Sequence, residues 1–185
     1  TLNPGDRAVL IGEEGNGKSS LLKLIFDERL VEDYIEYSGE IVKSGPPPGY
    51  LAQELSAAQK KQSVLAFCEG FPSFYALAPA ELSSIANRLG LDADLFYDDR
   101  AVDTLSGGEK VKLQLAGILM EQPGALLLDE PSNDLDLETL EWLENFLNTC
   151  GLPVLYVSHD ETLIENTANT VIHLEQVRRK TLPLH

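Results

Sequence analysis

A glycine-spaced loop set between an apolar run and a helix-like stretch constrains this chain more than any other feature. Gly12-Glu13-Glu14-Gly15-Asn16-Gly17-Lys18-Ser19 follows Ala8-Val9-Leu10-Ile11 and precedes Ser20-Leu21-Leu22-Lys23-Leu24-Ile25-Phe26. The four apolar residues read as a buried strand and the later stretch as a helix. Gly-x-x-x-x-Gly-Lys-Ser in that setting is the P-loop spacing. Gly12, Gly15 and Gly17 let the backbone curl until successive N–H groups face one anion, and the helix N-terminus adds partial positive charge there. Lys18 is then placed to reach terminal phosphates and the Ser19 hydroxyl to ligate Mg²⁺, with Asn16 and Ser20 completing the loop. A chance glycine-rich turn would lack the flanking strand and helix.

Mg²⁺ needs a second, anionic ligand, and hydrolysis needs a base. Ala125-Leu126-Leu127-Leu128-Asp129-Glu130 offers both. Its four apolar residues suit a central parallel strand buried on both faces. Asp129 emerges at the carboxyl end, where ligands sit in open α/β sheets. Glu130 points to the other side and can polarise water. Alone, the string reads equally well as a strand running into an acidic surface turn; beside a P-loop the metal reading leads. His159 follows another apolar run, Val154-Leu155-Tyr156-Val157. A neutral imidazole there can hold a terminal phosphate and orient Glu130. His173 and His185 lack such a context and read as structural or solvated.

Further strings occur in a fixed order: Tyr50-Leu51-Ala52-Gln53, Leu105-Ser106-Gly107-Gly108-Glu109, Ser132-Asn133-Asp134-Leu135-Asp136 and Val157-Ser158-His159-Asp160. With the two nucleotide motifs they resemble the Q-loop, signature, D-loop and H-loop of an ATP-binding-cassette (ABC) domain over nearly the whole chain. The resemblance implies an α/β P-loop NTPase with ATP and Mg²⁺ as cofactors. Its RecA-like core would be a mostly parallel sheet flanked by helices, over residues 1–53 and 105–185. A small helical lobe is expected at 54–104, where Ser63–Cys68 and Pro79–Leu89 look helical. Gln53 is implied to contact Mg²⁺ or the attacking water. Ser106, Gly107 and Gly108 precede a helix over Glu109–Leu119, with Val111, Leu115, Ile118 and Leu119 on one apolar face. A serine and two glycines at a helix N-terminus can bind an anion. By resemblance, that anion is the γ-phosphate held by another cassette. Family members carry an antiparallel region upstream, with an aromatic residue that stacks on adenine. That region is expected to be largely missing, so the chain reads as an excised fragment.

Glu130-Pro131-Ser132-Asn133-Asp134-Leu135-Asp136 and the following Glu138-Thr139-Leu140-Glu141-Trp142-Leu143-Glu144 resemble the ABC-F subfamily. Its members carry two cassettes in one chain and act on ribosomes, some conferring antibiotic resistance by ribosomal protection. Asp134 departs from the pattern, since many ABC-F cassettes have His there. Leu137, Leu140, Leu143, Phe146 and Leu147 predict an amphipathic helix with a solvated acidic face. The implied partners are a second cassette, in the same longer chain or in a homodimer, and the ribosome. The alternative is the ATP-hydrolysing subunit of a membrane transporter. DNA-repair cassettes carry a long coiled coil or zinc-binding cysteines, and neither pattern is present.

Composition sets limits on these readings. Thirty acidic against 14 basic residues give a net charge of −16, which repels nucleic-acid phosphates. Ribosome contact must therefore come from local basic patches or other segments. Cys68 and Cys150 show no disulfide or metal spacing, which fits a reducing cytosol and a cytoplasmic location. No apolar run approaches the ~20 residues needed to span a bilayer, and no signal segment is visible, so no direct membrane insertion is expected. Gln176-Val177-Arg178-Arg179-Lys180 is a basic cluster where a linker could begin, or a solvated tail.

Overall fold

The computed structural model describes residues 1–176; His185 and all but the first residue of the basic cluster lie outside them. Five strands, β1 (Arg7–Ile11), β2 (Gly49–Leu51), β3 (Leu126–Asp129), β4 (Val154–Val157) and β5 (Thr170–His173), form one sheet in the order β2-β3-β4-β1-β5. Every pairing is parallel. The Leu126-Leu127-Leu128 and Val154-Leu155-Tyr156-Val157 runs are buried at each position, as expected where helices cover both faces of a parallel sheet. Asp129 pairs with Val157 in register, and Ile11 with His173. The ends of β1, β3 and β4 therefore finish at the same carboxyl edge.

Helix α1 (Lys18–Phe26) starts inside the glycine loop, because Gly17 at φ 81 turns the chain directly into it. Between β2 and β3 come α2 (Ala57–Lys61), α3 (Val64–Glu69) and α4 (Pro79–Arg88). Their starts are written in the sequence: the Ser56 and Gln59 side chains form a reciprocal cap, Ser63 accepts from the Ala66 N–H, and Pro79 occupies the first helical turn. Helix α5 (Gly107–Met120) is buried more widely than one apolar face would give. Leu113, Ala116, Gly117 and Met120 are covered as well as Leu115, Ile118 and Leu119, because α5 packs against both β2 and α4.

Helices α6 (Leu137–Thr149) and α7 (Glu161–Thr167) pack together on the sheet. The buried residues of α6 are Leu143, Phe146 and Leu147. Leu137, expected on that face, is 72% exposed. At 3.6 residues per turn it lies roughly 125° around the helix from their centre.

One apolar core runs from Val9, Leu126 and Tyr156 of the sheet through Leu115 of α5 into Phe67 of α3 and Leu82 of α4. A smaller one beneath α1 joins Leu22 to Leu10, Leu127 and Leu155. Each fully buried Leu or Phe contributes about 1.5–3 kcal/mol. Packing is tight where α5 meets the turn after α3: a Cβ added to Gly117 would stand 2.2 Å from the Phe71 ring.

Candidate functional site

The carboxyl ends of β1, β3 and β4 open into a cleft of ≈ 770 Å³. Gly15, Gly17, Lys18, Ser19 and Ser20 form one wall, with Gln53, Glu130, Ser132, Asn133, Asp134 and His159 around them. Segments far apart in sequence thus converge at one edge of the sheet. Lys18 is only 8% exposed, and its Nζ donates to the Gly12 and Glu13 carbonyls at 2.8 Å each. An ammonium carries three N–H groups, so one remains to meet an anion.

Asp129 is 3% exposed, and its Oδ1 has no hydrogen-bond partner. Burial pushes its carboxyl above the usual range, while the Ser19 hydroxyl and the Lys23 charge pull it back. An unsatisfied buried oxygen of this kind costs about 1–3 kcal/mol or more. A hydroxyl and an unpaired carboxylate oxygen are hard donors suited to Mg²⁺, so Ser19 and Asp129 fit that ion. Among the described residues no three His, Cys, Asp or Glu side chains converge on a metal. Further ligands would therefore be nucleotide oxygens, the Gln53 amide and water.

Glu130 adopts φ 49, a left-handed conformation that costs a non-glycine residue about 1–3 kcal/mol. Its N–H donates to the Val157 carbonyl at 2.9 Å, pinning the turn to β4. The turned side chain meets His159: Nε2 stands 3.1 Å from Oε1, and the His159 backbone N–H donates to Oε2 at 3.3 Å. Burial pushes the Glu130 carboxyl up, its contacts with His159 oppose that, and the charges of Asp129 and Lys18 act in opposite senses. A raised carboxylate is a better proton acceptor near neutrality than an ordinary one.

Ser158, within the Val157-Ser158-His159-Asp160 string, is a contributor that local spacing does not mark. It is buried, accepts from the Asp160 N–H at 3.0 Å, and lies 3.4 Å from the Ser132 hydroxyl. It ties the end of β4 to the turn after β3. The Asn16 side chain is turned away from this cleft. Its N–H bonds to the Glu13 carbonyl at 3.2 Å, and its amide donates to the Leu174 carbonyl at 3.2 Å. The side chain lines a separate hollow of ≈ 530 Å³ with Glu13 and His173, clamping the loop to the segment that leaves β5. His173 is exposed on β5, with Nδ1 3.4 Å from the Glu175 carboxylate.

Ser106, Gly107 and Gly108 do not line the cleft. They begin α5, where the Ser106 hydroxyl accepts from the Glu109 N–H and Glu109 Oε1 accepts from the Ser106 N–H, both at 3.1 Å. Ser106 and Gly107 are exposed. A Cβ on Gly107 would stand 3.0 Å from the carbonyl oxygen of Asp134, which itself sits at φ 59. The start of α5 is thus pressed against a turn that borders the cleft.

A family model described as ABC transporter matches residues 1–133. The chain belongs to the ATP-binding-cassette family. The cassette is 35% identical over 168 residues to the ATP-binding protein Uup of Buchnera aphidicola subsp. Schizaphis graminum, covering 89% of the cassette and 27% of that relative. It is 32% identical over 180 residues to elongation factor 3 of Pneumocystis carinii, covering 97% of the cassette and 16% of that relative. The cassette therefore spans about a quarter and a sixth of these two proteins' lengths. The solved structure of an ATP binding subunit of an ABC transporter superposes with a TM-score of 0.73 at 21% identity, covering 94% of the cassette and 76% of that chain, which shows a shared fold. By its relatives this is an ATP-binding cassette most like the ABC-F type. No helix among the described residues is long and apolar enough to cross a membrane.

Proposed function

We propose that this cassette binds MgATP and hydrolyses it by closing on a second cassette, within an ABC-F protein that acts on the ribosome in translation or in ribosomal protection. The observation that carries the hydrolytic part is the two-point contact between His159 and Glu130, at the lip of the P-loop cleft and beside the unpaired oxygen of Asp129. The loop N–H groups and Lys18 hold the terminal phosphates, and Ser19 and Asp129 hold Mg²⁺. The ion supplies neutralisation of the charge on the transferring phosphoryl group. Gln53, which lines the same cleft, would contact the ion or the attacking water. Glu130 accepts the water proton while His159 fixes its carboxylate and faces the γ-phosphate.

Ser106, Gly107 and Gly108 lie outside the lining of the chain's own P-loop cleft, which supports a role on a partner's ATP. A charge of −16 on each copy opposes homodimerisation at low salt. A tethered second cassette would overcome that repulsion through effective concentration. The ribosomal part is supported by the relative named elongation factor 3. Co-sedimentation tests it: the full-length protein carrying Glu130→Gln should pellet with ribosomes in ATP and less in ADP. No ATP-dependent recovery with ribosomes would favour the transporter-subunit reading.

A further inference from the structure

Two tyrosines on the helical segment are unusually exposed for rings held so firmly. Tyr75 is 70% exposed and Tyr97 is 52% exposed. Both lean on Phe74, which is buried to 1%, with ring centroids 4.9 and 5.6 Å away and tilts of 54° and 42°. Phe74 thus serves as a fixed base that presents two phenol rings to solvent. Neither tyrosine lines the nucleotide cleft.

The rim of this aromatic triad is anionic. Glu69, at the end of α3, places its carboxylate by the Tyr75 hydroxyl. Tyr97 ends a 3-10 turn over Ala93–Tyr97, and exposed Asp94 lies three residues before it. That spacing stacks the two side chains on one face of such a turn. Asp98 and exposed Asp99 follow directly. Arg100, the next cation along the chain, is engaged by Asp98 at 3.4 Å and Glu109 at 3.7 Å.

We propose that Tyr75, Tyr97 and Glu69 form a docking surface for an arginine- or lysine-bearing segment of a partner protein. Aromatic faces attract guanidinium and ammonium groups, and an arginine plane can stack on a tyrosine while its N–H groups reach a carboxylate. Charge complementarity selects this occupant. A nucleic acid could stack bases on the rings, but Glu69, Asp94 and the net −16 repel its phosphates. An apolar partner would strip water from the rim carboxylates without supplying a counter-charge.

The test is an NMR titration of the intact chain, following the Tyr75 and Tyr97 ring resonances. The probes are a capped Gly-Arg-Gly-Arg peptide, the same peptide with Glu for Arg, and oligouridylate. The arginine peptide should shift both rings, and higher salt should weaken it. By calorimetry of the same peptide, Tyr75→Ala with Tyr97→Ala should weaken its binding about fivefold or more. Tyr75→Phe should preserve binding, and Glu69→Gln, which leaves the aromatic triad intact, should weaken it. No shift at either ring, unchanged affinity in the alanine variant, or stronger binding of oligouridylate at these rings would overturn the proposal.

Discussion

His159 holds both carboxylate oxygens of Glu130, one through Nε2 at 3.1 Å and the other through its backbone N–H at 3.3 Å. The two residues lie just past the ends of adjacent parallel strands, so sheet register aims one at the other. The backbone half of this grip survives any substitution at 159 other than proline, whereas the imidazole half does not. His159→Ala should therefore lower turnover roughly tenfold or more while MgATP affinity stays within a few-fold. Steady-state ATPase assays beside calorimetric titration separate the two effects. Affinity falling in step with turnover would mean that His159 mainly binds nucleotide.

Asp129 trades stability for charge. Its folded-state carboxyl is raised above the ordinary value, chiefly by burial, so the folded chain loses stability as pH rises through that range. Asp129→Asn removes the buried charge. It should raise the melting temperature by a few degrees at neutral pH, and the gain should vanish at acid pH, where the native carboxyl is protonated. Mg²⁺-dependent turnover should fall sharply in the same variant. Thermal melts across pH check the first claim and ATPase assays the second. A lower melting temperature at neutral pH would contradict the burial argument.

The start of α5 depends on the turn at Asp134. Gly107→Ala puts a methyl 3.0 Å from the Asp134 carbonyl and should leave ATP binding by the same chain intact, since Gly107 does not line that cleft. In a paired state it should impair turnover. Asp134→Gly relieves a left-handed conformation at φ 59 and should change stability by under about 1 kcal/mol. Urea unfolding of both variants, with ATPase measured on a cassette pair, tests this division between folding and function.

Gly117→Ala should destabilise the fold by overpacking. The new Cβ lands 2.2 Å from the Phe71 ring, and overpacking of this kind costs about 1–3 kcal/mol. The urea midpoint should fall with little change in slope. An unchanged midpoint would mean that Phe71 moves aside freely.

The sequence was most legible where strand ends carry polar residues. Lys18 and Ser19, Asp129 and Glu130, and His159 each follow or end a buried apolar run, and parallel register alone brings them to one edge. Three features escaped because they depend on neighbours distant in the chain. The Asn16 side chain is drawn to the Leu174 carbonyl, which no local spacing foretells. Strand β5 is exposed at all four residues and owes its form to pairing with β1. The wide burial of α5 comes from packing between β2 and α4, which its own periodicity does not record. The φ of Glu130 was equally invisible, yet it sets where the carboxylate points.

Single-turnover hydrolysis by Glu130→Gln, with MgATP affinity measured on the same preparation, tests the assignment of the base most directly. Glutamine keeps the side-chain shape and a hydrogen-bonding oxygen for the His159 N–H, but it cannot take the water proton. Lys18, Ser19 and Asp129 remain to hold MgATP. The expected result is normal ATP affinity with hydrolysis slowed about 10²-fold or more. Hydrolysis at the native rate would remove Glu130 from the chemistry and leave its contact with His159 as a structural tie.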